Sequence, residues 1–251
     1  MPHRRPFLDK ASIRRERDPP EGSQGFQPRE RARSGTLMND HFRLLPGQFL
    51  MPTPAGAYYA ASRPKPDSAC RFLFGLMTGD SAPPLEPATA QRASGLGADD
   101  ALELLYQIQR LGLVQAVKQP YRPPQGALGE VLGDLINQFS SATKALLADP
   151  EGFYVASCGF PHETAEEISA LSADMAALQE RHTRLLQGNL RLSTSNWALV
   201  DASGNSQLGF WPLYIGGIRF VMAISGVPRF NQPGFTDLVW ALTKRYYQPT
   251  A

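Results

Sequence analysis

The chain has 251 residues, a net charge of +2 at neutral pH, 42% hydrophobic residues and 19% charged residues. These values are typical of an ordinary soluble globular protein of about two domains, at roughly 100–150 residues each. No apolar run approaches the ~20 residues that span a bilayer, and no apolar stretch follows the basic start as in a secretory signal. The sequence therefore argues against membrane insertion and favours a cytoplasmic protein.

Charge is unevenly distributed along the chain. Residues 1–43 contain ten Lys or Arg and six Asp or Glu residues, which gives this segment +4 and leaves −2 on residues 44–251. The segment is rich in Arg, Pro, Gly and Ser and poor in apolar residues, which is a composition typical of disorder. We expect a disordered basic tail over residues 1–43, followed by a mildly acidic folded part with no bulk attraction for nucleic acid.

No sequence pattern predicts catalysis. A nucleophile elbow, a phosphate-binding loop, a dinucleotide fingerprint and a zinc-protease helix motif are all absent from the sequence. The cysteines, Cys70 and Cys158, are far apart and form no metal or redox motif, which favours free thiols. His162 lies near Cys158 and Glu166, but the spacing fits no known metal site. We therefore expect no catalytic residue, no cofactor and no metal, and a protein that is not an enzyme.

Residues 44–120 are predicted to form a small first domain. Asp67 or Ser68 can cap a helix that ends near Gly79, and a shorter helix covers residues 86–93. A third helix begins at about Asp99 and presents one apolar face, and a strand follows over residues 113–117. Residues 100–117 resemble the recognition helix and wing of winged-helix proteins, so we expect a winged-helix-like domain.

The third helix argues against DNA binding. Its front, where bases would be read, carries Asp99, Asp100 and Glu103, and its cation, Arg110, lies at the far end. Acidic side chains would repel phosphates, so specific DNA binding is not expected. A transcriptional regulator that uses this domain on DNA remains the alternative function.

Residues 121–127 form a proline-rich linker, and residues 128–251 change their hydrophobic period in a fixed order. The order is helix, two strands, helix, three strands, helix. The predicted bounds are 128–141, 144–149, 153–158, 164–187, 190–200, 207–215, 218–225 and 235–247. Thr164 and Glu167 predict a capping box at the start of the long helix. We expect an α+β fold with this α-β-β-α-β-β-β-α sandwich as its second domain.

This order resembles the roadblock/dynein light-chain superfamily. The likeness rests on the Asp149-Pro-Glu-Gly152 hairpin followed by Phe-Tyr-Val-Ala-Ser, and on Trp197-Ala-Leu-Val-Asp201. The resemblance implies a homodimer in which the long helix and the third strand pair with their copies. It also implies a partner, most often a small Ras-like GTPase in prokaryotes, whose nucleotide state the dimer senses or modulates.

The long helix carries a seam of residues at steps of three and four, as in a coiled coil. Small residues beside the seam would allow another helix to approach closely. The predicted dimer interface comprises Ile168, Leu171, Ser172, Met175, Leu178, His182 and Leu192. Residues off the seam are predicted to be exposed and to bind the partner; they are Gln179, Arg181 and Arg184. The function expected is that of a non-enzymatic regulatory scaffold.

Overall fold

The structure is a computed structural model, and it describes residues 13–15 and 42–248. The predicted disordered tail lies mostly outside the described residues. Within them, a short strand β1 (Ile13–Arg15) pairs antiparallel with β2 (Phe42–Leu44). The expected α+β class is confirmed, because the rest of the described chain consists of helices and strands, and the strands pair antiparallel.

The first half of the chain, residues 49–117, contains four helices between two strands that pair with each other. Its elements are β3 (Phe49–Pro52), α1 (Pro54–Ala61), α2 (Ser68–Leu76), α3 (Pro87–Ser94), α4 (Ala98–Arg110) and β4 (Val114–Val117). Asp67 caps α2 as predicted, since its carboxylate accepts a hydrogen bond from the Cys70 amide at 2.8 Å. Gly95 ends α3 in the left-handed conformation (φ 70°) that glycine adopts without strain.

The partner of β4 differs from the predicted wing. β4 pairs antiparallel with β3, which precedes all of these helices, from Phe49 opposite Val117 to Pro52 opposite Val114. A wing would require a second strand after β4, and the described chain instead continues through a proline-rich segment into the next helix. The pairing ties the two ends of the first half together.

The second half forms the predicted series of elements. These are α5 (Leu128–Ile136) with a 3-10 turn (Asn137–Phe139), β5 (Ala145–Ala148), β6 (Tyr154–Cys158), α6 (His162–Arg181), β7 (Trp197–Val200), β8 (Ser206–Ile215), β9 (Ile218–Ser225) and α7 (Pro233–Tyr246). Within residues 128–248 the strands form one antiparallel sheet of five, in the order β6-β5-β9-β8-β7. β7 and β6 therefore lie at its two edges.

The hairpin between β5 and β6 is held by the predicted turn. The Asp149 carboxylate accepts hydrogen bonds from the amides of Glu151 (3.1 Å) and Phe153 (2.9 Å). Gly152 adopts φ 88°, which a residue with a side chain would resist. The predicted turn over Asp149–Gly152 is therefore confirmed.

Two predicted details of the long helix are wrong. α6 begins at His162 with Pro161 at its N-cap and no side-chain cap, so Thr164 lies inside the helix and forms no capping box. The predicted helix is one α-helix that continues to residue 187, whereas α6 ends at Arg181 and a separate π-helical turn covers Arg184–Asn189.

The third strand of the second half is also shorter than predicted. The amides of Leu190 and Leu192 donate to the carbonyls of Leu185 and Leu186 in the π-helical turn. Two amides of the predicted strand are thus bonded outside the sheet, and β7 starts at Trp197.

One hydrophobic core runs through both halves. α6 covers one face of the five-stranded sheet, whereas α5, α7 and the first half lie on the other, where α1 packs against α7 and β8. The Trp240 indole donates to the Gly79 carbonyl at 2.9 Å, and Lys244 pairs with Asp80. The boundary at residues 121–127 stays a prediction, but the packing joins the two sides of it.

A buried carboxyl also links the proline-rich segment to α7. The Tyr121 hydroxyl donates a hydrogen bond of 2.7 Å to Asp237, which is buried. Burial raises the pKa of Asp237, and the bond from Tyr121 opposes part of that rise. Asp237 is thus held in a site that favours its protonated form.

We expect this site to make the stability of the protein depend on pH. A carboxyl whose folded pKa exceeds its unfolded value of about 3.9 stabilises the fold below that pH, and the contribution is lost as the pH rises through the folded pKa. Asp237→Asn should therefore be more stable than the wild type at pH 7, and the difference should shrink towards pH 4. Urea unfolding at both pH values measures it. Equal differences at the two pH values would contradict the assignment.

Candidate functional site: the long helix and the edge strand

α6 buries one stripe of small and apolar side chains against the sheet. The buried members are Ala165, Ile168, Ser169, Ser172, Ala176 and Gln179. The serines tolerate this position because their hydroxyls donate to carbonyls one turn earlier: Ser169 to Ala165 and Ser172 to Ile168, both at 2.8 Å. This stripe defines which side of α6 is available to another molecule.

The structure divides the predicted dimer interface between the core and the surface. Ile168 and Ser172 are buried in the chain's own core, so their prediction as surface contacts is wrong. The physical reason is the helical period of 3.6 residues, which brings them into line with Ala165 and Ala176 against the sheet. Met175 and Leu178 are half-buried, whereas the exposed members of the set are Leu171, His182 and Leu192.

The predicted partner residues are divided in the same way. Arg181 and Arg184 are exposed near the end of α6, as expected. Gln179 is 7% exposed, so its prediction as a surface contact is wrong. Its carbonyl oxygen accepts a hydrogen bond of 2.9 Å from the Trp197 indole, and this bond ties α6 to the first residue of β7. Gln179 thus positions the edge strand.

Exposed apolar side chains concentrate after α6. These exposed residues between the end of α6 and the end of β7, here called the edge patch, are Leu185, Leu190, Leu192, Leu199 and Val200. Leu199, at 63% exposed, and Val200 are neighbours in β7 and therefore point to opposite faces of the sheet. Large apolar side chains exposed on both faces of an edge strand are typical of a surface that another molecule covers.

The family resemblance implies that the third strand pairs with its copy, but of its residues only Leu192 is among the predicted interface residues, and Leu199 and Val200 are not. The available signal was the unbroken apolar run Trp197-Ala-Leu-Val200, which lacks the alternation of a strand with one solvated face. Such a run predicts a strand covered on both faces. Among the described residues nothing covers either side chain, since Leu199 is 63% and Val200 59% exposed, and β7 is an edge strand paired only with β8.

Polar groups also lie close together near the sheet's other edge. The Tyr154 hydroxyl and His162 Nδ1 are 2.8 Å apart, and His162 Nε2 lies 3.5 Å from Glu166 on the next turn of α6. His162 and Glu166 are exposed. Across the part of the chain that the structure describes, no three His, Cys, Asp or Glu side chains are grouped closely enough to hold a metal ion.

The fold defines the protein as an α+β protein with antiparallel sheets. Searches against protein-family models, curated proteins and solved structures each find no match to the chain. Among residues 13–15 and 42–248, no helix combines the length and apolar character needed to cross a membrane.

Proposed function

We propose that the protein is a non-enzymatic regulatory scaffold that forms a homodimer through its edge patch and binds a small Ras-like GTPase. The second half would then be a roadblock-like domain. The observation that carries the proposal is β7, an edge strand that exposes Leu199 and Val200 on opposite faces. The order of elements from α5 to α7 supports it, because it is the order that the family resemblance implies.

A second copy of the chain is the occupant that this edge suits best. Two copies of β7 can pair antiparallel about a two-fold axis, which makes the contact self-complementary and closed. The pairing would satisfy the outward backbone groups of β7 and cover its apolar side chains at once. The bond from Trp197 to Gln179 fixes β7 against α6, so the edge is already rigid before it pairs.

The GTPase would meet the side of the dimer on which α6 lies. The two-fold axis of such a pair is perpendicular to the sheet, so both copies of α6 lie on the same face. Arg181 and Arg184 are exposed near the end of each α6 and would complement an acidic nucleotide-binding region. Both lie in or beside regular helix, which suits binding to one switch conformation better than insertion of an arginine finger.

The alternative, DNA binding through the first half, gains no support from α4. Asp99 and Asp100 are exposed in its first turn, where a recognition helix would meet bases. Gln107 and Gln109 are the two glutamines of α4 that could read adenine, and the Gln107 amide already donates to Glu103 at 3.0 Å.

We expect the protein to bind a Ras-like GTPase of the same organism with different affinities in its two nucleotide states. The GTPase is loaded with GDP or with a non-hydrolysable GTP analogue, and each dissociation constant is measured by calorimetry. The double substitution Arg181→Glu and Arg184→Glu should weaken the tighter complex by about tenfold or more, since it replaces attraction with repulsion. Arg110→Glu, on the exposed surface of α4, is the control and should leave binding unchanged. Equal affinities for both nucleotide states, or no binding, would overturn the proposal.

A further inference from the structure

A cavity of about 380 Å³ lies where the two halves of the chain meet. We call it the junction cavity. Its walls come from α2 with the loop before it, from the end of β8 with the β8–β9 turn, and from the chain just after α7. The side chains that matter for its chemistry are Arg63, Arg71, Phe74, Tyr214 and Tyr247. Cavities that bind small molecules are typically ~300–1,000 Å³ and often lie between structural units.

Aromatic rings form one side of the junction cavity. Phe74 and Tyr247 stack with ring centroids 4.9 Å apart and an angle of 24° between their planes. Tyr214, the second-last residue of β8, is half-buried and also lines the cavity. Burial raises the pKa of Tyr214 and of Tyr247, so both remain neutral phenols at physiological pH. Phe74 is itself buried against Tyr247, and the Tyr214 hydroxyl is hydrogen-bonded to Ser195, so the aromatic surface that the cavity offers belongs mainly to the half-buried ring of Tyr247.

Arg71 supplies a positive charge that no carboxylate of the described residues neutralises. Its guanidinium donates to the Pro66 carbonyl at 3.2 Å and to the Ser68 hydroxyl at 3.4 Å, and both acceptors are uncharged. Among the described residues, no carboxylate lies within ion-pair distance of it. A guanidinium has five N–H donors, so several remain for another acceptor. Proximity to Arg71 also opposes the rise in the pKa of Tyr247, which places the charge close to the aromatic wall.

Arg63 plays a lesser part. Its guanidinium lies 2.9 Å from the Asp67 carboxylate and 4.3 Å from the centre of the Tyr59 ring. Its charge is therefore largely compensated, and its position is fixed. With Lys65 in the same loop, the rim of the cavity is locally basic, although residues 44–251 carry −2 in total.

We propose that the junction cavity binds a small anion that carries a planar ring, of the size of a nucleoside monophosphate. Arg71 holds the anionic group with charge-assisted hydrogen bonds, and the ring lies against the aromatic wall. The site requires neither the homodimer nor the GTPase, because every lining residue belongs to one chain. It adds a small-molecule ligand to a protein whose proposed function involves only other proteins.

The experiment titrates the full chain with AMP and GMP, and separately with adenosine and with inorganic phosphate, by calorimetry at low ionic strength. We expect at least one mononucleotide to bind at least about tenfold more tightly than adenosine or phosphate, since only it engages both Arg71 and the rings. Arg71→Ala should weaken that binding by about tenfold or more, the effect of losing hydrogen bonds to a charged group. Arg71→Lys should restore only part of it, because an ammonium lacks the planar fork.

Arg110→Ala is the matched control, since Arg110 is also an exposed helical arginine beside a tyrosine ring, Tyr106, and lies outside the cavity. It should bind the mononucleotide as the wild type does. Tyr247→Leu tests the aromatic wall independently of the charge and should also weaken binding. No binding of either mononucleotide at millimolar concentration would overturn the proposal. Equal affinity in the wild type and Arg71→Ala would also overturn it, as would loss of binding in Arg110→Ala.

Discussion

We expect Leu199→Glu to convert the protein from a dimer to a monomer. Leu199 is 63% exposed on the outer strand, so the substitution should leave the folded chain intact. In a dimer paired through β7, it would place an unpartnered carboxylate in the interface, at a cost of about 3–5 kcal/mol, or a dissociation constant raised by a hundredfold or more. Light scattering at micromolar concentration measures the result. The wild type should show twice the chain mass of 27.5 kDa, and the variant should show that mass once.

The control for this experiment is Leu111→Glu. Leu111 is 70% exposed, and it lies at the end of α4, outside the edge patch. It therefore matches Leu199 in chemistry and exposure, and its substitution should leave the dimer mass unchanged. A wild-type mass of one chain, or loss of the dimer in both variants, would show that β7 is not the dimer contact.

The second large effect concerns a close backbone contact in the first half. Gly56 lies in the first turn of α1, and a Cβ placed there would overlap the carbonyl group of Leu113. The obstacle is backbone, which a rotamer change cannot move. The contact is also locked from α1's side, because the Thr53 amide donates to that same carbonyl at 3.0 Å and the Thr53 hydroxyl to the Gly112 carbonyl at 2.7 Å.

Gly56→Ala should therefore destabilise the fold by about 3 kcal/mol or more, the upper range for overpacking a rigid site. Gly133→Ala in α5 is the control, since its Cβ would meet no heavy atom within 4 Å. That change should stabilise the chain by about 0.5–1 kcal/mol through the higher helix propensity of alanine. Urea unfolding followed by circular dichroism compares the two variants. An unchanged stability in Gly56→Ala would show that α1 does not pack against this backbone.

Local signals in the sequence predicted most of the elements. The Asp149 turn, the Asp67 cap and the period of α4 each depend on residues within a few positions of one another, so the sequence displays them directly. The order of helices and strands after residue 128 followed from the same kind of signal. The roadblock and winged-helix identities remain predictions, because they concern how these elements are arranged in space.

Local signals could not predict contacts between residues that are far apart in the sequence. Gln179 is predicted to be exposed because it lies off the apolar seam of the helix, yet the structure buries it, and the Trp197 indole donates a hydrogen bond to its carbonyl oxygen. The pairing of β3 with β4 spans the whole first half and leaves no mark in either strand. The junction cavity combines Arg71 with Tyr214 and Tyr247, which are more than 140 positions away in the chain. Only the tertiary fold brings these groups together.

Because one hydrophobic cluster spans both halves, dividing the chain at its proline-rich segment would expose apolar surface. The side chains of α1 that pack on α7 and β8 would meet water in either fragment, and so would the surfaces they cover. The first half has the length of a small domain, but moved alone into another protein it would lose the surface against which α1 packs. A substitution on one side of this contact therefore constrains which residues the other side accepts.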